Sequence, residues 1–232
     1  MEVLSTGVTG LDEMLGGGIP KKHFVVFLGL PGMGKSTFAL QFIYAGLKKG
    51  ENCIYLSLEE GEERIINTAS IFGWDLRPYI ADRKLVLIRL SGVNLQSTID
   101  RIENDLPKLL ESTGAKRFVI DPITLYEIIF ESESERREHL FNFTEKIRDT
   151  GVTLVMTSEA NINNSYYSKF GLIEYIADGV IILRQVRQSD LQAATTVVEI
   201  SKMRNINHSR EIKPFIISDN GIVVHNNSEV FN

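Results

Sequence analysis

Short apolar runs alternate with longer stretches of helical periodicity through the first two thirds of the chain. Phe24–Leu28 predicts a strand, and Ser36–Lys49 predicts a helix after it, with Phe38, Ala39, Phe42, Ile43 and Leu47 at helical spacing. Lys48 and Lys49 stand in its last turn, and Gly50 is the stop. Cys53–Leu58 predicts the next strand, Glu62–Phe72 a helix ending at Gly73, and Leu85–Leu90 another strand. Leu95–Glu111 has helical spacing at Ile99, Ile102, Leu106, Leu109 and Leu110, with Pro107 as a kink or break. Phe118–Asp121 is a strand that ends in a carboxylate, and Glu135–Asp149 is a helix preceded by a capping box of Ser132 and Glu135. Val152–Thr157 is again a strand.

The last third changes character. Val180–Leu183, Thr195–Ser201, Phe215–Ser218 and Ile222–His225 are β-rich runs with short connections, and Asp219-Asn220-Gly221 is a hairpin turn signal. Alternating β and α followed by a meander predicts an α/β fold: a mostly parallel sheet with antiparallel strands added at one edge. Residues 1–232 fit one domain. Hydrophobic residues make up 43% and charged residues 24%, which excludes a disordered chain and a fibre. The lone Cys53 cannot pair internally; it reads as a small buried strand residue and fits a reducing cytoplasm. No run is long enough to span a membrane, and no signal peptide is expected. A net charge of −5 is not the bulk signature of a nucleic-acid binder.

Gly29-Leu30-Pro31-Gly32-Met33-Gly34-Lys35-Ser36 satisfies G-x-x-x-x-G-K-[ST], between an apolar strand and an amphipathic helix that also holds Thr37. Glycines let the backbone turn tightly and aim its N–H groups at phosphate oxygens, and the helix start adds its positive dipole end. Lys35 supplies a charge for the β- and γ-phosphates, and the Ser36 hydroxyl is a hard oxygen ligand for Mg²⁺. Asp121, at the end of its strand, is expected beside the loop to hold the same ion. Glu59-Glu60 follow strand Cys53–Leu58, which is expected to neighbour the loop; a carboxylate there can orient or deprotonate an attacking water. Two solvated acids would give the same sequence, since Glu62 and Glu63 follow.

Together with these residues, Ser5-Thr6-Gly7, Gly10-Leu11-Asp12 and Leu15-Gly16-Gly17-Gly18-Ile19-Pro20 resemble the start of the RecA/RadA-superfamily ATPases. Phe72-Gly73-Trp74-Asp75-Leu76, Met156-Thr157-Ser158-Glu159, the run Ala177–Arg184, Lys202-Met203-Arg204 with His208, and the run Pro214–Ile222 narrow the resemblance to KaiC-like proteins. It extends from about Leu4 to Val224. The resemblance implies a RecA-like core, assembly into a ring, commonly a hexamer, and ATP at the subunit interfaces. It identifies Glu59 with the catalytic glutamate and Glu60 with its partner. It implies that Lys202, Met203 and Arg204 reach a neighbour's nucleotide, with His208, Ser218 and Asp219 as lesser contacts from the same neighbour. A cation supplied in trans would stabilise charge on the transferring phosphoryl group.

Two departures stand out. Lys22 occupies a position that is normally glycine in the family. The run Ile173–Asp178 offers no Ser-Thr pair, so the chain resembles the domain that hydrolyses ATP rather than the one that phosphorylates itself. A single phosphate loop makes one module rather than a tandem. The implied function is a slow ATPase ring that acts as a nucleotide-driven regulatory module, with a protein partner that reads its state. The competing reading is a single-stranded-DNA-binding ATPase; a non-enzymatic ATP binder and a kinase acting on another protein are further readings. Glu127, Glu131, Glu133 and Glu135 make the segment after Asp121 acidic, which would repel DNA, and only four residues precede Ser5, too few for an extra DNA-binding domain. Tyr166, Tyr167 and Phe170 could stack on bases or pack on a neighbouring subunit, and Lys169 is the one positive charge among them.

Overall fold

The structure, a computed structural model, describes residues 2–90, 95–187 and 193–228. Val3–Leu4 (β1) and Ile19–Pro20 (β2) form a small antiparallel ribbon around the short helix α1, Leu11–Met14. Asp12 ties this segment together by accepting hydrogen bonds from the Ser5 hydroxyl (2.5 Å), the Thr6 amide (2.7 Å) and the Thr6 hydroxyl (2.6 Å).

The main sheet contains β3 (Phe24–Gly29), β4 (Cys53–Ser57), β5 (Leu85–Arg89), β6 (Arg117–Asp121), β7 (Thr153–Asn161), β8 (Asn164–Ser168), β9 (Gly179–Val186), β10 (Thr195–Met203), β11 (Lys213–Ser218) and β12 (Gly221–Val224). Its order is β12-β11-β10-β9-β3-β7-β6-β4-β5, and β8 folds back onto β7. From β9 to β5 the strands are parallel, and β10, β11 and β12 continue antiparallel beyond β9. The mostly parallel sheet with an antiparallel C-terminal edge is therefore as the alternation predicts.

Helices α2 (Lys35–Lys48), α3 (Glu62–Ile71) and α4 (Arg77–Ala81) precede β5; α5 (Leu95–Asp100), α6 (Leu106–Thr113), α7 (Thr124–Glu127), α8 (Glu133–Asp149) and α9 (Ile173–Ile176) follow it. Side chains alternate across β3 because a strand repeats every two residues. Val25 and Phe27 pack with Phe38 and Phe42 of α2, whereas Phe24, Val26 and Leu28 pack in the second core with Leu110 of α6 and Phe143 of α8. Each such aromatic, fully buried, is worth about 2–3 kcal/mol of hydrophobic transfer.

The Leu95–Glu111 pattern is interrupted by a π-helical turn at Arg101–Asp105, just before Pro107 in the first turn of α6. A proline cannot donate to the carbonyl four residues back, so the break falls where its missing N–H requires it. Helix α8 begins two residues before the expected Glu135, with Ser132 as N-cap and both halves of the capping box formed. Lys22 adopts φ 64°, so the residue found in place of glycine keeps a left-handed backbone.

Candidate functional site

The sheet brings the predicted phosphate loop to the C-terminal end of an inner strand, where open α/β sheets bind ligands. Gly29 closes β3, and a Cβ on it would lie 2.7 Å from the Leu183 carbonyl oxygen of β9. Gly34 is the N-cap of α2 at φ 80°, and a Cβ there would come 2.9 Å from Ile217 Cδ1. Between them Pro31 and Gly32 are exposed and Met33 is half-buried. Lys35 Nζ donates to the carbonyls of Gly29 (2.8 Å) and Leu30 (3.0 Å), the atoms that frame the turn. Burial pushes the Lys35 ammonium below the usual lysine range, against the opposing charges of Asp121, Glu159 and Glu59. Ser36 and Thr37 follow in the first turn of α2.

Asp121 ends β6, and its carboxylate is fixed by three hydroxyls. Ser36 Oγ donates to Oδ1 at 3.1 Å, Thr157 donates to the same oxygen, and Tyr55 donates to Oδ2. Burial first, then the Asp121 charge, pushes the Tyr55 phenol well above its usual range, so it stays a donor. A serine hydroxyl beside an oriented carboxylate is a hard-oxygen pair that suits Mg²⁺, an ion that also takes phosphate oxygens and waters. Among the described residues no group of three His, Cys, Asp or Glu could hold a metal by itself.

The strand order corrects one expectation. Strand β4 does not neighbour the loop strand, because β7 and β6 lie between them. Ser57 is level with Asp121, and its hydroxyl accepts from the amides of Glu59 (3.3 Å) and Glu60 (2.8 Å). Glu59 is exposed at the same end of the sheet, whereas Glu60 pairs with Arg64 at 2.9 Å. On β7, the strand that does neighbour β3, Glu159 is paired in register with Gly29. In the sequence Glu159 stands out only as part of a strand end, and Tyr55 carries no expected role. The signal for both was a polar side chain within or closing an otherwise apolar strand.

Lys202 and Met203 lie in β10, opposite Val180 and Gly179, which are level with Val26 and Val25. At about 3.3 Å per residue, Lys202 is about 10 Å down the sheet from Gly29 and two strands across. Its ammonium donates to the carbonyls of Glu174 (2.9 Å) and Ala177 (2.6 Å). Met203 is buried, and Arg204 bonds Asp178 at 3.2 Å. Burial, with the neighbouring Arg204, lowers the Lys202 pKa. The half-buried His208 bonds the Ser209 carbonyl at 2.9 Å, and the Ser209 amide reaches Met14. These residues therefore stand away from the loop of their own chain.

Ser218 and Asp219 do not share that location. They form the tip between β11 and β12, whose Ile217 and Ile222 side chains would meet a Cβ on Gly34. The tip stands beside its own phosphate loop, so the six residues grouped by resemblance split between two ends of the sheet.

The acidic segment after Asp121 also differs from expectation. Glu127 is fully buried in α7, and only Glu131, Glu133 and Glu135 are exposed. Tyr166 and Tyr167 are exposed on β8, Phe170 lies under Arg136 at 4.0 Å, and Lys169 pairs with Glu159 at 3.3 Å. No helix among the described residues is long and apolar enough to cross a membrane.

The family described as "ATPase: KaiC" matches residues 4–229. The circadian clock oscillator protein KaiC of Acaryochloris marina is 31% identical over 94% of this chain, which spans 42% of that protein. The UPF0273 protein PH0284 of Pyrococcus horikoshii is 30% identical, with 96% of this chain and 93% of that protein covered. Among solved structures, the KaiC-like protein PH0186 of the same archaeon has a TM-score of 0.85 and 33% identity, covering 97% of this chain and 99% of its own. With the match running nearly end to end and the loop seated as its residue types require, this chain belongs to the KaiC family of ATPase domains.

Proposed function

We propose that residues 1–232 act as one module that binds ATP with Mg²⁺ and hydrolyses it slowly between copies of the chain in a six-membered cytoplasmic ring. The observation that carries this reading is the Ser36–Asp121 hydrogen bond beside the glycine loop, with Asp121 oriented by Tyr55 and Thr157. Ser36 and Asp121 would hold Mg²⁺, which when bound supplies charge neutralisation at the phosphates. Lys35 would exchange its two loop carbonyls for phosphate oxygens. Glu59, exposed and with its backbone amide held by the Ser57 hydroxyl, would position the attacking water for in-line displacement. Ser218 and Asp219 would contact the nucleotide of their own subunit.

Lys202 and Arg204, with Met203 and His208 beside them, would serve the neighbouring subunit's nucleotide. Their distance from their own loop supports this assignment. The ring would report its ADP or ATP state to a protein partner. Lys169 pairs with Glu159 and Phe170 is covered by Arg136, which favours β8 and the residues after it as a subunit contact over a DNA-binding loop.

The test is ATP turnover by mixed subunits. Glu59→Gln and Arg204→Ala chains are each expected to be nearly inactive alone, and mixing them should restore turnover at interfaces with both groups intact. Failure of every mixing ratio to restore turnover refutes the trans assignment. Turnover that rises several-fold with single-stranded DNA refutes the regulatory reading.

A further inference from the structure

A chain of polar contacts joins this subunit's own loop to Lys202. It begins at Glu159, in register with Gly29 and near enough to act on the Lys35 charge. Lys169 answers Glu159 twice: its amide donates to the Glu159 carbonyl at 2.8 Å, and its ammonium pairs with the carboxylate at 3.3 Å. The preceding residue, Ser168, is buried, and both its amide and its hydroxyl donate to the Glu174 carboxylate, the hydroxyl at 3.0 Å. The carbonyl of that same Glu174 accepts from Lys202 at 2.9 Å. Glu174 therefore holds the β8 segment with its side chain and the β10 cation with its backbone.

From this geometry we infer that Glu174 is a positioning residue for Lys202, through which the occupancy of one subunit's loop sets the turnover of the next. The inference rests on the trans reading of Lys202. Its two states would differ at Lys35, whose ammonium donates here to the loop carbonyls of Gly29 and Leu30 and would turn toward a bound phosphate. That turn would alter the positive charge beside Glu159, and hence the Lys169 pair and the Ser168–Glu174 contacts behind it. A ligand shifts such an element only by its differential interaction with the two states.

The experiment uses rings of wild-type chains mixed with increasing fractions of Lys35→Ala chains, which lose both the nucleotide and the Lys35 charge beside Glu159 but still present Lys202. Turnover per wild-type site is expected to change by about fivefold or more as its cation donor becomes empty. In a Glu174→Gln background the same titration should be flat. The KM for ATP should hold there, because the loop is untouched, while kcat moves. Ser168→Ala removes the hydroxyl contact from the other side and should flatten the titration as well, which guards against a folding defect in either variant alone. A folded Glu174→Gln ring that keeps the full neighbour dependence overturns the inference, and so does a wild-type titration that is flat from the start. The Glu59→Gln and Arg204→Ala mixture separates the two ideas. If it shows no rescue, the trans reading fails and takes this inference with it; if it shows rescue, the Glu174→Gln titration judges Glu174 alone.

Discussion

Replacing Glu127 by glutamine should flatten the dependence of folding stability on pH. Glu127 is fully buried in α7, and neither carboxyl oxygen has a hydrogen-bond partner among the described residues. Burial, reinforced by the charge of Glu174 and opposed by Arg136, pushes its pKa from 4.5 up to about 8. Between these values the folded protein keeps a proton that the unfolded chain has released. Stability from this group is therefore fully present below about pH 4.5 and is lost as pH rises through about 8. At about 1.4 kcal/mol per pH unit, moving from about pH 5 to about pH 8 removes on the order of 3 kcal/mol. That is a large share of the 5–15 kcal/mol or so that holds a typical domain together.

The assay is urea unfolding of wild type and Glu127→Gln at several pH values across that window. The glutamine does not titrate, so its stability should lack this group's slope. Its buried amide is unsatisfied, but so is the protonated wild-type carboxyl it replaces, so the two penalties of about 1–3 kcal/mol largely cancel near pH 5. The variant should thus be close to wild type near pH 5 and the more stable protein toward pH 8, by on the order of 3 kcal/mol. Parallel curves would refute the reasoning, because other titrating groups are common to both proteins and cancel in the difference.

Lys35→Ala should abolish nucleotide binding, read as loss of the thermal shift on adding ATP with Mg²⁺. Glu59→Gln should keep that shift while turnover falls by about a hundredfold or more. Lys22→Gly should stabilise the fold by roughly 0.5–1 kcal/mol in urea titrations, because φ 64° costs lysine more than the added freedom of glycine costs the folded state. Cys53 is buried and its thiol is pushed up to about 12, so it should stay silent to a thiol reagent until the chain unfolds.

The elements legible in the sequence are those whose side chains are apolar on both faces or on one helical stripe. Strands β3, β4 and β6 read directly as unbroken runs. Helix α4 did not, because it begins Arg77-Pro78 and buries none of its residues. Strand β8 did not, because its Asn164–Ser168 segment is polar or exposed and pairs with β7 at only two positions. Strand order was hidden for a different reason. An apolar run shows that a strand is covered, but nothing in it names the strand alongside. Hence Glu59 was expected next to the loop strand, and Glu159, in register with Gly29, was passed over. Glu127 was misread because an acidic letter ordinarily marks a solvated loop. Tyr126, Ile128 and Ile129 around it were the only hint of burial.

Direction matters as much as order in separating the two ends of the site. Strands β3 and β9 rise together toward the loop, so the antiparallel β10 must descend and carry Lys202 and Met203 to the far end. Strand β11 rises again and returns Ser218 to the loop end, where Ile217 closes on Gly34. Residues less than twenty positions apart in the chain thus face opposite poles of the sheet. Under the proposed trans assignment, a cation at the far pole would act on a phosphate by meeting another copy's loop. A nucleotide site divided in this way would make assembly a condition of turnover, and a dilution series should show specific activity falling as the copies separate, while Lys35-dependent binding to the isolated chain persists.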